Sequence, residues 1–261
     1  MKAKVIYLTF LVGSLAACTP HVQQGRTQPA DSIPSTFKVP TDLYGRWLNK
    51  TYVDKVKETR STKEAQDFSD LCLATIEQRG DTTFLSTSWN FHEGGDILAL
   101  TMTSANKAES DSTDDPYERF VVTLNADSSI NIAHGEQDND YIKFGSGTKY
   151  RNYTEIVNEA LFSGSYALGD STLVEFHNDG RLDGIEGYVK YMANEDYIGP
   201  GMDYDQMNLT SASGCDSTFG YQFHDDTLDI FRLGCVESDP EDSTYCLDYE
   251  RKETIYELKK R

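Results

Sequence analysis

Apolar side chains recur at every second position along most of this chain. That period constrains the fold more than any other feature. Leu85, Trp89 and Phe91 share one face of a run, and Leu98, Leu100 and Met102 share a face of the next. Phe120, Val122 and Leu124 repeat the pattern, followed by Ile130 and Ile132, then Val174 and Phe176, then Ile185, Val189 and Tyr191. Further on come Phe219, Tyr221 and Phe223, then Tyr245, Leu247 and Tyr249, and finally Tyr256 and Leu258. Alternation of this kind turns one face of a strand to a core and the other to water. Turn sequences separate the runs: Arg79-Gly80-Asp81, Asn125-Ala126-Asp127 and Asn178-Asp179-Gly180. The last favours a tight hairpin, because Asn, Asp and Gly tolerate positive φ. Short strands joined in this way predict an all-β antiparallel sandwich or barrel.

Three stretches break the period. Lys50 to Asp70 is rich in Lys, Glu, Ala and Gln, and Ser61-Thr62-Lys63-Glu64 fits a capping box. In such a box the Ser and Glu side chains satisfy free amides at a helix start. The pattern predicts two short helices, one on each side of Ser61. Ser104 to Pro116 reads as a long polar loop, and Gly135 to Asn152 as a strand over Tyr141–Phe144 set in loop. No internal repeat stands out, although the chain falls into two β-rich halves around Glu155–Leu168.

The N-terminus has its own logic. Lys2 and Lys4 precede an apolar run from Val5 to Val12, the layout of a secretory signal, and the run is too short to span a bilayer. It ends on Leu15-Ala16-Ala17-Cys18, which resembles the bacterial lipobox. The resemblance implies cleavage after residue 17 and lipidation of Cys18, an anchor that needs no transmembrane helix. Thr19 in place of Asp implies the outer membrane, and the lack of an acidic cluster close after Cys18 implies its periplasmic face. Residues 18–40 read as the lipidated Cys and a flexible tether. They hold Pro20, Pro29, Pro34 and Pro40 and few large apolar side chains. The folded domain is expected over 41–261.

The formal charge is −19. Losing 1–17, with Lys2 and Lys4, leaves 22 basic against 43 acidic side chains, or −21. Such a surface repels nucleic acid and anionic lipid alike, so direct docking to either is not expected.

With Cys18 lipidated, four cysteines remain: Cys72, Cys215, Cys235 and Cys246. An even number in an oxidising compartment suggests two disulfides, with three possible connectivities. Phe219–Phe223 and Leu228–Leu233 read as a hairpin turning at His224-Asp225-Asp226-Thr227. Counting back from that turn sets positions 215 and 235 nearly opposite, which favours Cys215–Cys235 and leaves Cys72–Cys246. A zinc site is the weaker reading, because the chain has no Cys-x-x-Cys spacing and no His suitably placed beside the cysteines.

Leu43-Tyr44-Gly45-Arg46-Trp47 carries the Gly-x-Trp pattern that opens the first strand of lipocalins, and the phrase through Lys50 resembles lipocalin-like lipoproteins of Bacteroidota. The resemblance implies a lipocalin-like antiparallel β-barrel, with short helices after the first strand, that binds a small apolar or amphipathic ligand. It also implies that Trp47, beside Gly45, plugs the closed end under a basic side chain from the last strand. Arg251 or Lys252 is the residue expected there, with Tyr256–Arg261 closing the barrel. The sixteen tyrosines either line such a cavity or serve simply as strand formers. A filled β-core acting in envelope interactions is the alternative.

Nothing points to catalysis. His21 lies in the tether, and His92, His134, His177 and His224 sit at or beside turns, where lone histidines are usually solvated. The chain has no Gly-x-Ser-x-Gly elbow, phosphate loop or His-Glu-x-x-His. Asp111, Asp114 and Asp115, and Asp138 with Asp140, lack EF-hand spacing and read as solvated loops. No catalytic residue, metal or cofactor is expected.

Overall fold

The computed structural model describes residues 37–261 apart from Ser69 and the stretches 111–118, 198–202 and 241–245. The signal segment, Cys18, the tether as far as residue 36 with His21, and Asp111, Asp114 and Asp115 therefore lie outside the described residues.

The strands divide into two sets. The first runs β1 (Gly45–Asn49), β2 (Leu73–Arg79), β3 (Thr82–Ser88), β4 (Ile97–Met102), β5 (Lys107–Ser110), β6 (Phe120–Leu124), β7 (Ile130–His134) and β8 (Gln137–Phe144). Each pairs antiparallel with the next, and β8 returns to pair with β1 from Arg46↔Phe144 to Asn49↔Tyr141, closing a barrel. The alternation sends Trp47, Ile76, Leu85, Leu100, Phe120, Ile132 and Tyr141 inward as one buried cluster. Because β8 already occupies the free edge of β1, the chain's last strand cannot close this barrel. The expected closure by Tyr256–Arg261 is thus replaced by closure through Tyr141–Phe144.

The second set runs β9 (Gly164–Leu168), β10 (Thr172–Phe176), β11 (Leu182–Asp183), β12 (Tyr188–Ala193), β13 (Gln206–Ser211), β14 (Asp216–His224), β15 (Thr227–Ser238) and β16 (Cys246–Lys260). The hydrogen-bonded order is β11-β10-β9-β16-β15-β14-β13-β12. The two outer strands approach each other through a single bridge, Arg181↔Lys190, and through Tyr191 N–H donating to the Gly180 carbonyl at 2.8 Å. The sheet is thus a nearly closed up-and-down meander in the same order as the first, with β16 closing onto β9 as β8 closes onto β1.

Three helices lie where the two sets meet: α1 (Lys50–Thr59), α2 (Thr62–Ala65) and α3 (Tyr153–Leu161). Side-chain caps start each of them. Asn49 Oδ1 accepts from Thr51 N–H, Ser61 Oγ from Glu64 N–H, and Asn152 Oδ1 from Glu155 N–H. Tyr52, Val53 and Val56 of α1 and Ile156, Val157 and Leu161 of α3 share one core with Leu48 and Phe144, which face outward from the first barrel. That core continues into the interior of the second sheet through Tyr166, Val174, Met207, Tyr221 and Leu258.

Past the Gly220↔Phe231 pair β15 leaves β14, and its outer part continues with β16 as a two-stranded ribbon. Cys235 and Cys246 are disulfide-bonded within that ribbon, while Cys72 is a buried free thiol and Cys215 an exposed one. The expected pairs Cys215–Cys235 and Cys72–Cys246 are therefore not formed. The count from the hairpin turn assumes that β14 and β15 stay paired, but that pairing ends at Gly220↔Phe231 and β15 runs on with β16 alone.

Candidate functional site

The interior of the first barrel is the place where a ligand would be held, and its own side chains occupy it. Trp47 is fully buried. Lys143, its register partner on β8, lies over the indole with Nζ 5.0 Å from the ring centroid and donates to the Asp42 carbonyl at 2.8 Å. Desolvation lowers the Lys143 pKa, and nearby Asp42 acts in the opposite direction. Gly45 makes this possible. Its φ is +147°, and a Cβ there would stand 2.5 Å from Lys143 Cε. The basic residue over Trp47 is thus Lys143, not Arg251. Arg251 lies on β16, with its guanidinium 4.3 Å from the Phe231 centroid, and donates to Asp229 at 3.0 Å and Gln222 at 2.8 Å. Lys252 pairs with Glu250 on the same strand.

Both ends of the barrel are covered. A 3₁₀ turn over Thr41–Leu43 buries Leu43 against the end where β1 begins, and Tyr44 Oη and Thr83 Oγ1 hydrogen-bond there at 3.2 Å. At the other end, Tyr141 Oη donates to the Leu71 carbonyl at 2.6 Å and Leu71 is buried. His134 stacks on Phe120 at 4.1 Å between ring centroids and meets Trp89 edge-on at 5.7 Å. Trp47 Nε1 has no partner among the described residues.

The second interior is filled through α3. Phe162, one residue beyond the helix, packs against Phe176, Tyr191, Tyr221 and Phe223 with centroid distances of 5.0–5.9 Å. Beside it Thr62 Oγ1 bonds Tyr197 Oη at 2.9 Å and Tyr221 Oη at 3.0 Å. Asp205 accepts from Tyr221 Oη at 3.2 Å and from Lys63 N–H at 2.9 Å. Burial pushes the Tyr197 and Tyr221 hydroxyls far above their usual range, so both act as neutral hydrogen-bonding groups that hold α2 to the sheet.

Between the two interiors lies a small polar group that the sequence did not signal. Glu195 follows β12 and is buried. Desolvation raises its carboxyl from 4.5 to about 8, against a hydrogen bond from Tyr153 that acts downward. Its Oε1 and the Tyr52 hydroxyl have no partners among the described residues. Burial pushes the nearby Cys72 thiol up to about 12, which keeps it protonated and unreactive.

The histidines are dispersed. His92 pairs with Asp196 at 2.9 Å, His224 approaches Asp229 at 3.8 Å, and His177 contacts Asp183 at 2.8 Å. Two clefts open outside the second sheet: one of about 420 Å³ beside Glu159, Glu175 and His177, and one of about 260 Å³ beside Asn158, Lys190 and Asn208. Among the described residues, Glu175, His177 and Asp183 are the side chains whose ligand atoms gather closely enough to hold a metal ion.

No protein family, curated protein or solved structure is found to match this chain. Its class therefore rests on its own fold: an antiparallel β protein that joins a closed eight-stranded barrel to a second, nearly closed sheet.

Proposed function

We propose that this chain is a lipid-anchored envelope protein, held through Cys18 at the periplasmic face of the outer membrane. Its lipocalin-like barrel and companion sheet act as an interaction scaffold, not as a container for a ligand. The observation that carries this reading is the filled interior of the first barrel. Eight strands enclose room for side chains or for one small ligand. Here Trp47, Phe120 and Tyr141, together with the aliphatic side chains, take that room. A ligand would have to displace them, at a cost on the order of that of emptying a buried aromatic site, about 3–5 kcal/mol. The excess of acidic residues suits a partner with a basic face and disfavours nucleic acid.

Two measurements test the proposal. Metabolic labelling with a palmitate analogue should tag the parent chain and not Cys18→Ser, and an unlabelled parent would remove the anchor. Native mass spectrometry of the detergent-released chain should show the protein mass alone, before and after incubation with envelope lipid extract. A co-purifying lipid-like mass released on unfolding would instead favour the carrier of an amphipathic molecule.

A further inference from the structure

The hairpin β10–β11 presents three metal-ligand side chains on its outer face. Glu175 and Asp183 are register partners, and His177 follows two residues after Glu175, so all three leave the sheet on the same side. Val174, Phe176 and Leu182, which alternate with them, are buried in the core beneath. His177 Nε2 stands 2.8 Å from Asp183 Oδ2 and 3.8 Å from Glu175 Oε2, and the three ligand atoms lie within 4.8 Å of one another. Ligands about 2.0–2.2 Å from a single ion are separated by roughly 3–3.5 Å, so small side-chain rotations bring all three onto one metal.

The backbone beneath them is held firmly. His177 N–H donates to the Arg181 carbonyl at 3.0 Å, and the His177 carbonyl accepts from Gly180 N–H at 3.0 Å and from Tyr191 Oη at 2.7 Å. Tyr191 and the strand it belongs to therefore fix the hairpin tip, and ligands on a rigid element keep their geometry. The 420 Å³ cleft borders Glu175 and His177, so coordination positions left open by the protein are reachable from solvent.

We propose that Glu175, His177 and Asp183 form a binding site for a divalent first-row transition metal such as zinc. One imidazole and two carboxylates form the mixed N/O donor set that suits this class of ion, and three protein ligands leave a position for water or a further group. Arg181 is the built-in competitor. Its Nη2 lies 3.2 Å and 3.3 Å from the two ring nitrogens of His177, and its Nε lies 4.0 Å from Asp183 Oδ2. Guanidinium and metal are alternatives for the same acidic seat. The site does not depend on the anchor or on the contents of the barrel.

The test is calorimetric titration of the detergent-solubilised full chain, purified without a histidine tag, with Zn²⁺. Co²⁺ absorption provides a second readout of the coordination. The expected result is one equivalent bound, with affinity reduced at least tenfold in His177→Ala and in Asp183→Asn and increased in Arg181→Ala. All three side chains lie on the outer face, so thermal melts of the metal-free variants should match that of the parent and separate loss of binding from loss of fold. Binding retained in His177→Ala would overturn the proposal, because Cys215 or scattered carboxylates would then be the ligands. Failure of the parent to bind would overturn it equally, whatever Arg181→Ala does.

Discussion

The two eight-stranded sets share one plan and differ in how their interiors are filled. In each, a first strand opens on Gly-x-aromatic, and the aromatic is in register with a lysine of the last strand: Trp47 with Lys143, and Tyr166 with Lys260. Both glycines sit at strongly positive φ, +147° at Gly45 and +137° at Gly164. The first set closes with continuous pairing and fills itself from its own strands. The second leaves a seam bridged by Arg181↔Lys190 and by Tyr191 N–H to the Gly180 carbonyl, and its own strands share their core with α1, α3 and Phe162. The two sets thus share a closing register and a strand order, and differ in whether helices add to the core inside the strands.

The largest effects should come from emptying each interior. Phe162→Ala should cost about 4 kcal/mol, and Trp47→Ala about 3 kcal/mol or more. Both tryptophans, Trp47 and Trp89, belong to the first barrel, so fluorescence reports that barrel while far-UV circular dichroism reports both sets. In Phe162→Ala the dichroism transition should precede the fluorescence transition. Coincident transitions would mean that the shared core makes one cooperative unit, and the distinction between the interiors would fail.

The next effect concerns the seam between them. The folded value of Glu195 lies above its ordinary one, so the stability owed to its neutral form is complete below about pH 4.5 and is lost as pH rises through about 8. Glu195→Gln removes that loss. In denaturant melts at about pH 9 the variant should exceed the parent by on the order of 3 kcal/mol, with a much smaller difference at about pH 5. Parallel pH profiles would sink the assignment.

The smallest effect separates the two glycines. Alanine at either should cost about 1–3 kcal/mol from backbone strain. Gly45→Ala also meets Lys143 Cε at 2.5 Å, whereas Lys260 Cε stands 3.7 Å from the equivalent point at Gly164. Gly45→Ala should therefore cost about 1 kcal/mol more, from the lost cation–π contact, and the excess should vanish in a Lys143→Ala background.

Much of the fold was legible because burial follows side-chain alternation. The runs at Leu98–Met102, Phe120–Leu124 and Phe219–Phe223 all lie in strands. β5 does not stand out from its loop surroundings, because Lys107–Ser110 holds a single apolar residue, Ala108, too little for a period to show. The repeat is faint in sequence because Gly45-Arg46-Trp47 and Gly164-Ser165-Tyr166 share only a glycine and an aromatic, and their lysine partners lie far along the chain. Gly45 and Trp47 are legible from the resemblance, but Arg251 fits over Trp47 only if one barrel runs to the last strand, whereas β8 and Lys143 close it. His177 looked isolated because Asp183 comes beside it only across the hairpin.

The placement of the closing lysines also orders assembly. A chain emerging N-terminus first has every strand of the first barrel available once Phe144 is out. The second set cannot be joined until Leu258, Lys259 and Lys260 reach Leu168, Ala167 and Tyr166. While the chain is still emerging, the first barrel is therefore a finished body waiting on an open one. The apolar lining of α1 and α3 is the surface that a holding chaperone would have to cover in the interval.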